Sequence, residues 1–214
     1  MNVGRYLALY DYRQRVALMY RERNGALRAG HDPEAVLQHF RARRDELFAT
    51  HPQSALDDDQ RSTFRGLAYF PYRPDAIVAG IIEPARDTQR LVIQISERET
   101  VPLETVGTIK FTFGVHRAAL SLYWIEVYGG GLFLPFRDRT APDLTYGGGR
   151  YVFDTIKGSD FLSVEDGRLS LDFNYAYNPS CAYNHRWTCP LAPPSNQLPF
   201  PIAAGEKRYL GATS

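Results

Sequence analysis

The hydrophobic pattern of this chain changes period once, near Gly66, and no other feature constrains its fold as strongly. Before that point apolar residues recur about every three to four positions, as on one face of a helix. After it they alternate, as in strands with one buried face. In residues 4–24, Tyr6, Leu9, Tyr10, Val16, Ala17 and Tyr20 predict an amphipathic helix that Asn24-Gly25 would end. Asp32-Pro33-Glu34 supplies a cap, a proline for the first helical position and an early acid for a second helix. That helix carries Val36, Leu37, Phe40, Leu47 and Phe48 on its apolar side, and His51-Pro52 stops it. Ser54 with Asp57 resembles a capping box for a short third helix towards Phe64.

Beyond Gly66 the spacing predicts strands over 67–72, 77–83, 90–96, 108–115, 116–128, 132–137, 149–155 and 168–174. The clearest of them alternates Ile109, Phe111, Phe113 and Val115 with Thr108, Lys110, Thr112 and Gly114; in the next, Leu120, Leu122 and Trp124 share a face. Asp166-Gly167 reads as the hairpin turn before the last strand. Consecutive antiparallel strands with short loops predict a closed or nearly closed barrel of about eight strands, because closure removes exposed edges. The expected fold class is mainly β: an antiparallel barrel with two or three N-terminal helices, divided into a helical segment over 1–50 and a barrel domain over 51–214.

A chain of 214 residues can bury roughly 70% of its unfolded surface, enough for one such domain. Its 25 Lys and Arg offset 24 Asp and Glu, so no global field points to nucleic acid or to a membrane. Residues 1–50 are richer in arginine than in acids, a bias read as a solvated helix surface. No stretch is long and apolar enough for a bilayer, and the first residues lack the apolar run of a secretory signal. A cytoplasmic, reducing location is therefore expected, with both cysteines as thiols.

After Ala176 the chain turns proline-rich yet stays aromatic, which predicts a wrap around the barrel rather than a disordered tail. The run 172–206 holds both cysteines and one of the two tryptophans. Loops so rich in large, hydrogen-bonding side chains often carry function. In the last strand Asp172 and Asn174 lie opposite Leu169, Leu171 and Phe173. Pointing inward they would meet a ligand; pointing outward they would bond the wrap. Tyr146-Gly147-Gly148-Gly149-Arg150 can offer successive amides to an anion, with Arg150 and Arg137 as forks for carboxylate or phosphate. A turn that needs positive φ explains the same glycines. Cys181, His185 and Cys189 suggest a metal by type but lack a visible fourth ligand, so no metal is assigned. They read instead as buried structural thiols, with a cysteine nucleophile using His185 as base as the rival.

Several longer motifs resemble an uncharacterised bacterial family catalogued as domain of unknown function 1684. They are Gly66-Leu67-Ala68-Tyr69-Phe70-Pro71, Pro135-Phe136-Arg137-Asp138-Arg139-Thr140 and Thr145-Tyr146-Gly147-Gly148-Gly149-Arg150-Tyr151. To these add Asp172-Phe173-Asn174, Ala176-Tyr177-Asn178-Pro179-Ser180-Cys181-Ala182-Tyr183, Cys189-Pro190-Leu191 and Ala204-Gly205-Glu206. The resemblance spans His51-Pro52-Gln53-Ser54 to Glu206-Lys207 and implies boundaries and motifs rather than an activity. Leu144 stands where the family usually has Glu before Thr-Tyr-Gly, and Arg73 where it often has an acid.

The leading expectation is a binding domain for a small polar or anionic ligand in or at the mouth of the barrel. Arg137 and Arg150 would be charge partners, Asp172 and Asn174 would orient the ligand, and Tyr146 and Tyr177 would line the pocket, with Asp138 and Asn178 in the same site. The alternative is a hydrolase in which Asp138 or Asp172 acts as base while Arg137 or Arg150 stabilises developing negative charge. A third class, an interaction module, would leave an apolar patch exposed on residues 4–24. No cofactor, catalytic residue or oligomeric state is assigned.

Overall fold

The computed structural model describes residues 3–162 and 164–211; residues 1–2, 163 and 212–214 of the two expected segments lie outside them. Three helices lead: α1 (Val3–Arg28), α2 (Pro33–Thr50) and α3 (Asp58–Thr63). Asp32 caps α2 by accepting from Ala35 N, with Pro33 in the first turn. α1 runs straight through Asn24-Gly25, because Asn24 is buried and donates from Nδ2 to Phe161 O. A residue that reads as a stop is thus a tertiary anchor. Asp57 rather than Ser54 caps α3, in a reciprocal box with Gln60, while Ser54 Oγ donates to Phe48 O.

Among the described residues, seven strands form one antiparallel sheet in the order β5-β4-β3-β2-β1-β7-β6. They are β1 (Ile77–Gln94), β2 (Thr100–Phe113), β3 (His116–Ile125), β4 (Gly131–Phe136), β5 (Arg150–Asp154), the two-residue β6 (Val164–Glu165) and β7 (Arg168–Asp172). The expected strands 77–83 and 90–96 are two halves of β1, offset by an irregularity between Pro84 and Gln89. Residues 67–72 form no strand and contribute only the bridge between Tyr69 and Glu206. Asp166 and Gly167 both take positive φ, 49° and 72°, and turn β6 into β7 as expected.

The barrel does not close. The sheet is open and curled, with β5 and β6 outermost. Tyr177 takes the free side of β5 and exchanges backbone hydrogen bonds of 2.8 and 3.0 Å with Tyr151. An irregular segment after β7 therefore covers part of the edge that closure was expected to remove.

One extra residue in β2, Val106, separates the Thr105–Tyr123 pair from the Gly107–Leu122 pair and inverts the alternation. Ile109, Phe111, Phe113, Leu120 and Leu122 face the main core with Leu169, Leu171 and Phe173. Leu103, Tyr123 and Ile125 face the other side, with Phe133 and Tyr151. Trp124 keeps the face of Leu122 but stands beyond the point where the core changes sides, and is 37% exposed.

The helices pack through Val16, Met19, Tyr20, Leu37, Phe40 and Leu47 onto Tyr175. The first turns of α1 outrun that contact: Tyr6 and Tyr10, expected on the packed face, are each 64% exposed. Nor do all the N-terminal arginines form a solvated surface. Arg23, Arg41 and Arg44 are buried, with their guanidinium groups over the rings of Tyr20, Tyr69 and Phe48 respectively. The C-terminal wrap is ordered: Trp187 Nε1 donates to Ala55 O, Asn196 bonds the backbones of Ser121 and Pro135, and Phe200 and Ile202 enter the main core. Among the described residues no helix is long and apolar enough to cross a membrane.

Candidate functional site

Two of the sequence-predicted residues, Arg150 and Asp138, meet inside the protein. Arg150 opens β5 directly after Gly149, whose φ is +92° and whose added Cβ would lie 2.5 Å from Phe136 O, so the backbone approach requires glycine. Its Nη atoms donate to the carbonyls of Ile202 at 2.9 Å and Glu206 at 3.3 Å, to that of Ala204, and to Asp138 Oδ1 at 3.3 Å. Asp138 also accepts from Thr140 Oγ1 at 2.8 Å and from Ile202 N. Burial lowers the pKa of Arg150, and Asp138 opposes the shift. The pair is a latch that holds 202–206 against the sheet.

Arg137 is not part of this pair; its Nε donates to Gly147 O at 2.7 Å. Asp172 and Asn174 lie off the face that Leu169, Leu171 and Phe173 bury. Asp172 Oδ1 accepts from Asn174 N and Nδ2, both at 2.9 Å, and Asn174 bonds the backbone of Arg73 in both directions. They close a turn and tie down the loop before β1, rather than bonding the C-terminal wrap as the outward reading expected. Tyr146 reaches a different neighbour, its hydroxyl lying 3.6 Å from Cys181 Sγ.

Tyr177 and Asn178 belong to a second polar centre. Its middle is Glu206, 1% exposed, brought there by the Tyr69 bridge and by Glu206 N donating to Ala176 O at 2.9 Å. Glu206 Oε1 accepts from Asn178 Nδ2 at 3.1 Å and from the Tyr183 hydroxyl. Oε2 accepts from Arg44 Nη2 at 3.2 Å and from Asn178 N at 3.3 Å. Burial raises the carboxyl's pKa, and Arg44 pulls it back. Tyr177 lies half-buried beside this group, its hydroxyl 2.6 Å from Ser159 Oγ and its ring 5.2 Å from the Arg44 guanidinium carbon.

A cavity of about 60 Å³ opens against the same residues, with Tyr12, Arg44, Lys157, Tyr177, Asn178 and Tyr183 among its walls. Larger spaces of about 380 and 230 Å³ lie along α1, and others of about 700 and 630 Å³ lie against β1. The small one differs in chemistry. Among the described residues, Arg44 Nε and Asn178 Oδ1 are buried polar atoms without a partner, and no residue lining the four larger spaces holds such an atom. Buried orphans of this kind call for a bound group or water.

Sequence reasoning found Tyr177 and Asn178 and missed the other wall residues. Glu206 and Tyr183 stood inside quoted motifs, so their signal was present. Arg44 was hidden among the arginines of α2, and nothing local marks Tyr12 or Lys157. The thiols are free, Cys181 half-buried and Cys189 buried, while His185 is exposed. Among the described residues no group of three His, Cys, Asp or Glu side chains is placed to hold a metal.

No curated protein matches the chain. Among solved structures, it is similar to the solution NMR structure of an uncharacterized protein from gene locus rrnAC0354 of Haloarcula marismortui. The two share 34% identity at a TM-score of 0.60, over 81% of this chain and 93% of the other. A family model matches residues 62–207, a span that holds β1 to β7, the Arg150–Asp138 latch and Glu206. The chain belongs to the family described as protein of unknown function (DUF1684).

Proposed function

We propose that the protein binds a small anion-bearing molecule in the cavity bounded by Tyr12, Arg44, Lys157, Tyr177, Asn178 and Tyr183. One observation carries the reading: Arg44 Nε is a buried donor and Asn178 Oδ1 a buried acceptor, and both lack partners. A ligand that suits them must accept at one point and donate at another, as a hydrogenphosphate or a small hydroxycarboxylate does. At ~10–15 Å³ for each water-sized position, about 60 Å³ admits only a few heavy atoms. Lys157, exposed beside the cavity, adds a positive charge to that of the Glu206-paired Arg44. This reading keeps the anionic ligand expected from the sequence and assigns its charge partners to Arg44 and Lys157 instead of Arg137 and Arg150.

Binding is favoured over hydrolysis because Asp138 already accepts from Thr140, Arg150 and Ile202 in a buried position. Asp172 is engaged with Asn174. Thermal unfolding with phosphate, sulfate, acetate and glycolate at constant ionic strength tests the proposal. A ligand at a hundred times its Kd stabilises by about 2.7 kcal/mol. At least one anion should raise the Tm saturably in the wild type and roughly tenfold more weakly in Lys157→Ala. No saturable shift with any of them, or equal shifts in both proteins, points to a cavity filled by water.

A second reading rests on α1. Val3, Tyr6, Leu7, Tyr10 and Leu18 form an exposed apolar stripe opposite the buried Val16, Met19 and Tyr20. Monomers leave patches of ~300–600 Å² open chiefly where they bind something. Val3, Tyr6, Leu7 and Tyr10 share one face within about two turns of the helix, and a second copy of this chain would cover them with its own α1. Sedimentation should then show a mass that rises with concentration and falls to the monomer in Leu7→Glu. A wild type that stays monomeric removes the reading.

A further inference from the structure

The two cysteines, which the binding reading does not use, meet across the 182–188 loop. Cys181 N donates to Cys189 Sγ at 3.4 Å, which places the two residues side by side. The Tyr146 hydroxyl lies 3.6 Å from Cys181 Sγ. Cys181 is half-buried, whereas Cys189 is 4% exposed, so the pair is sheltered yet open from one side.

The surroundings favour one thiolate and one thiol. The neighbouring Cys181 side chain lowers the pKa of Cys189 to about 6 against the effect of burial, helped by Lys157 and by the backbone amides of Cys181 and Ser180. The same neighbourhood raises the pKa of Cys181. His185 is exposed and is not needed as a base.

We propose that Cys181 and Cys189 form a reversible dithiol–disulfide couple that reacts with small hydroperoxides, Cys189 attacking and Cys181 resolving. In the first step Cys189 Sγ attacks the terminal peroxide oxygen and the O–O bond breaks. The leaving alkoxide or hydroxide takes a proton from solvent, and Cys189 becomes a sulfenic acid. In the second step Cys181 Sγ attacks Cys189 Sγ. The S–S bond forms, the S–O bond breaks, and the departing hydroxide leaves as water with the Cys181 proton. Two electrons pass from the two sulfurs to the peroxide, and an external dithiol returns them. The near-complete burial of Cys189 selects a small oxidant over a bulky disulfide.

Intact-mass spectrometry of the full chain, treated with stoichiometric hydrogen peroxide, tests this. The wild type should lose two hydrogens and both iodoacetamide-reactive thiols, and dithiothreitol should restore them. Cys181→Ser should stop one oxygen heavier and be trapped by dimedone at Cys189. Cys189→Ser should react roughly tenfold or more slowly, as a thiol without an acidic partner does. A wild type that keeps both free thiols overturns the proposal without recourse to any variant. Equal oxidation rates in the two serine variants overturn the assigned roles.

Discussion

Arg44 and Glu206, 162 positions apart in the chain, meet at 3.2 Å with both side chains buried. One residue comes from α2 and the other from the last bridge of the C-terminal wrap, so the contact joins the two ends of the protein. Removing one partner of such a pair leaves an uncompensated charge in a dry place, at a cost of about 3–5 kcal/mol. Glu206→Gln and Arg44→Met should each lose stability on that scale in urea unfolding. The double variant should recover a large part of the loss. Strictly additive losses would mean that the pair is not an interacting unit.

Gly205 sets the position of Glu206. Its φ is +76°, and a Cβ there would lie 2.6 Å from Ala176 O and 2.7 Å from Phe173 O, both backbone atoms. Gly205→Ala should therefore destabilise by at least ~1–3 kcal/mol from its backbone conformation alone. Hydrogen exchange should quicken at Phe70 N, which donates to Gly205 O, and at Glu206 N, which donates to Ala176 O. Unchanged stability and unchanged exchange at these two amides would refute the close approach.

Asp154 should give the protein a pH signature. Burial raises its pKa above 3.8, Lys157 pulls the other way, and Oδ1 has no partner. The folded chain therefore holds a proton on Asp154 at pH values where the unfolded chain has released it. The stability this contributes is fully present below the unfolded pKa and is lost as pH rises through the folded one. As pH rises from about 4 through the raised folded pKa, the wild type should lose stability relative to Asp154→Asn. Parallel stability curves for the two proteins would contradict the raised pKa.

Much of this architecture was legible because it depends on local chemistry. The Asp32 cap, the stop at His51-Pro52, the alternation of Ile109, Phe111 and Phe113, and the Asp166-Gly167 turn each need only their near neighbours. The expectations that gave way depended on partners far along the chain. Asn24 continues a helix because Phe161 O awaits its side chain, and Ser54 yields its cap to Asp57 because Phe48 O takes its hydroxyl. Val106 inverts the alternation of β2, a change that no spacing in that strand announces.

The candidate site divides in the same way. The sequence by itself determined the residue types and their order: a mainly antiparallel β fold behind helices, an aromatic proline-rich wrap, and motifs that include Tyr177, Asn178, Tyr183 and Glu206. Only the tertiary structure decided that Arg150 and Asp138 would be spent on a latch, and that Arg44 would leave the arginine-rich surface to pair with Glu206. The physical reason is the cost of burying charge. A guanidinium is stable inside only where a carboxylate or carbonyls from distant segments meet it, and that meeting is a property of the whole fold.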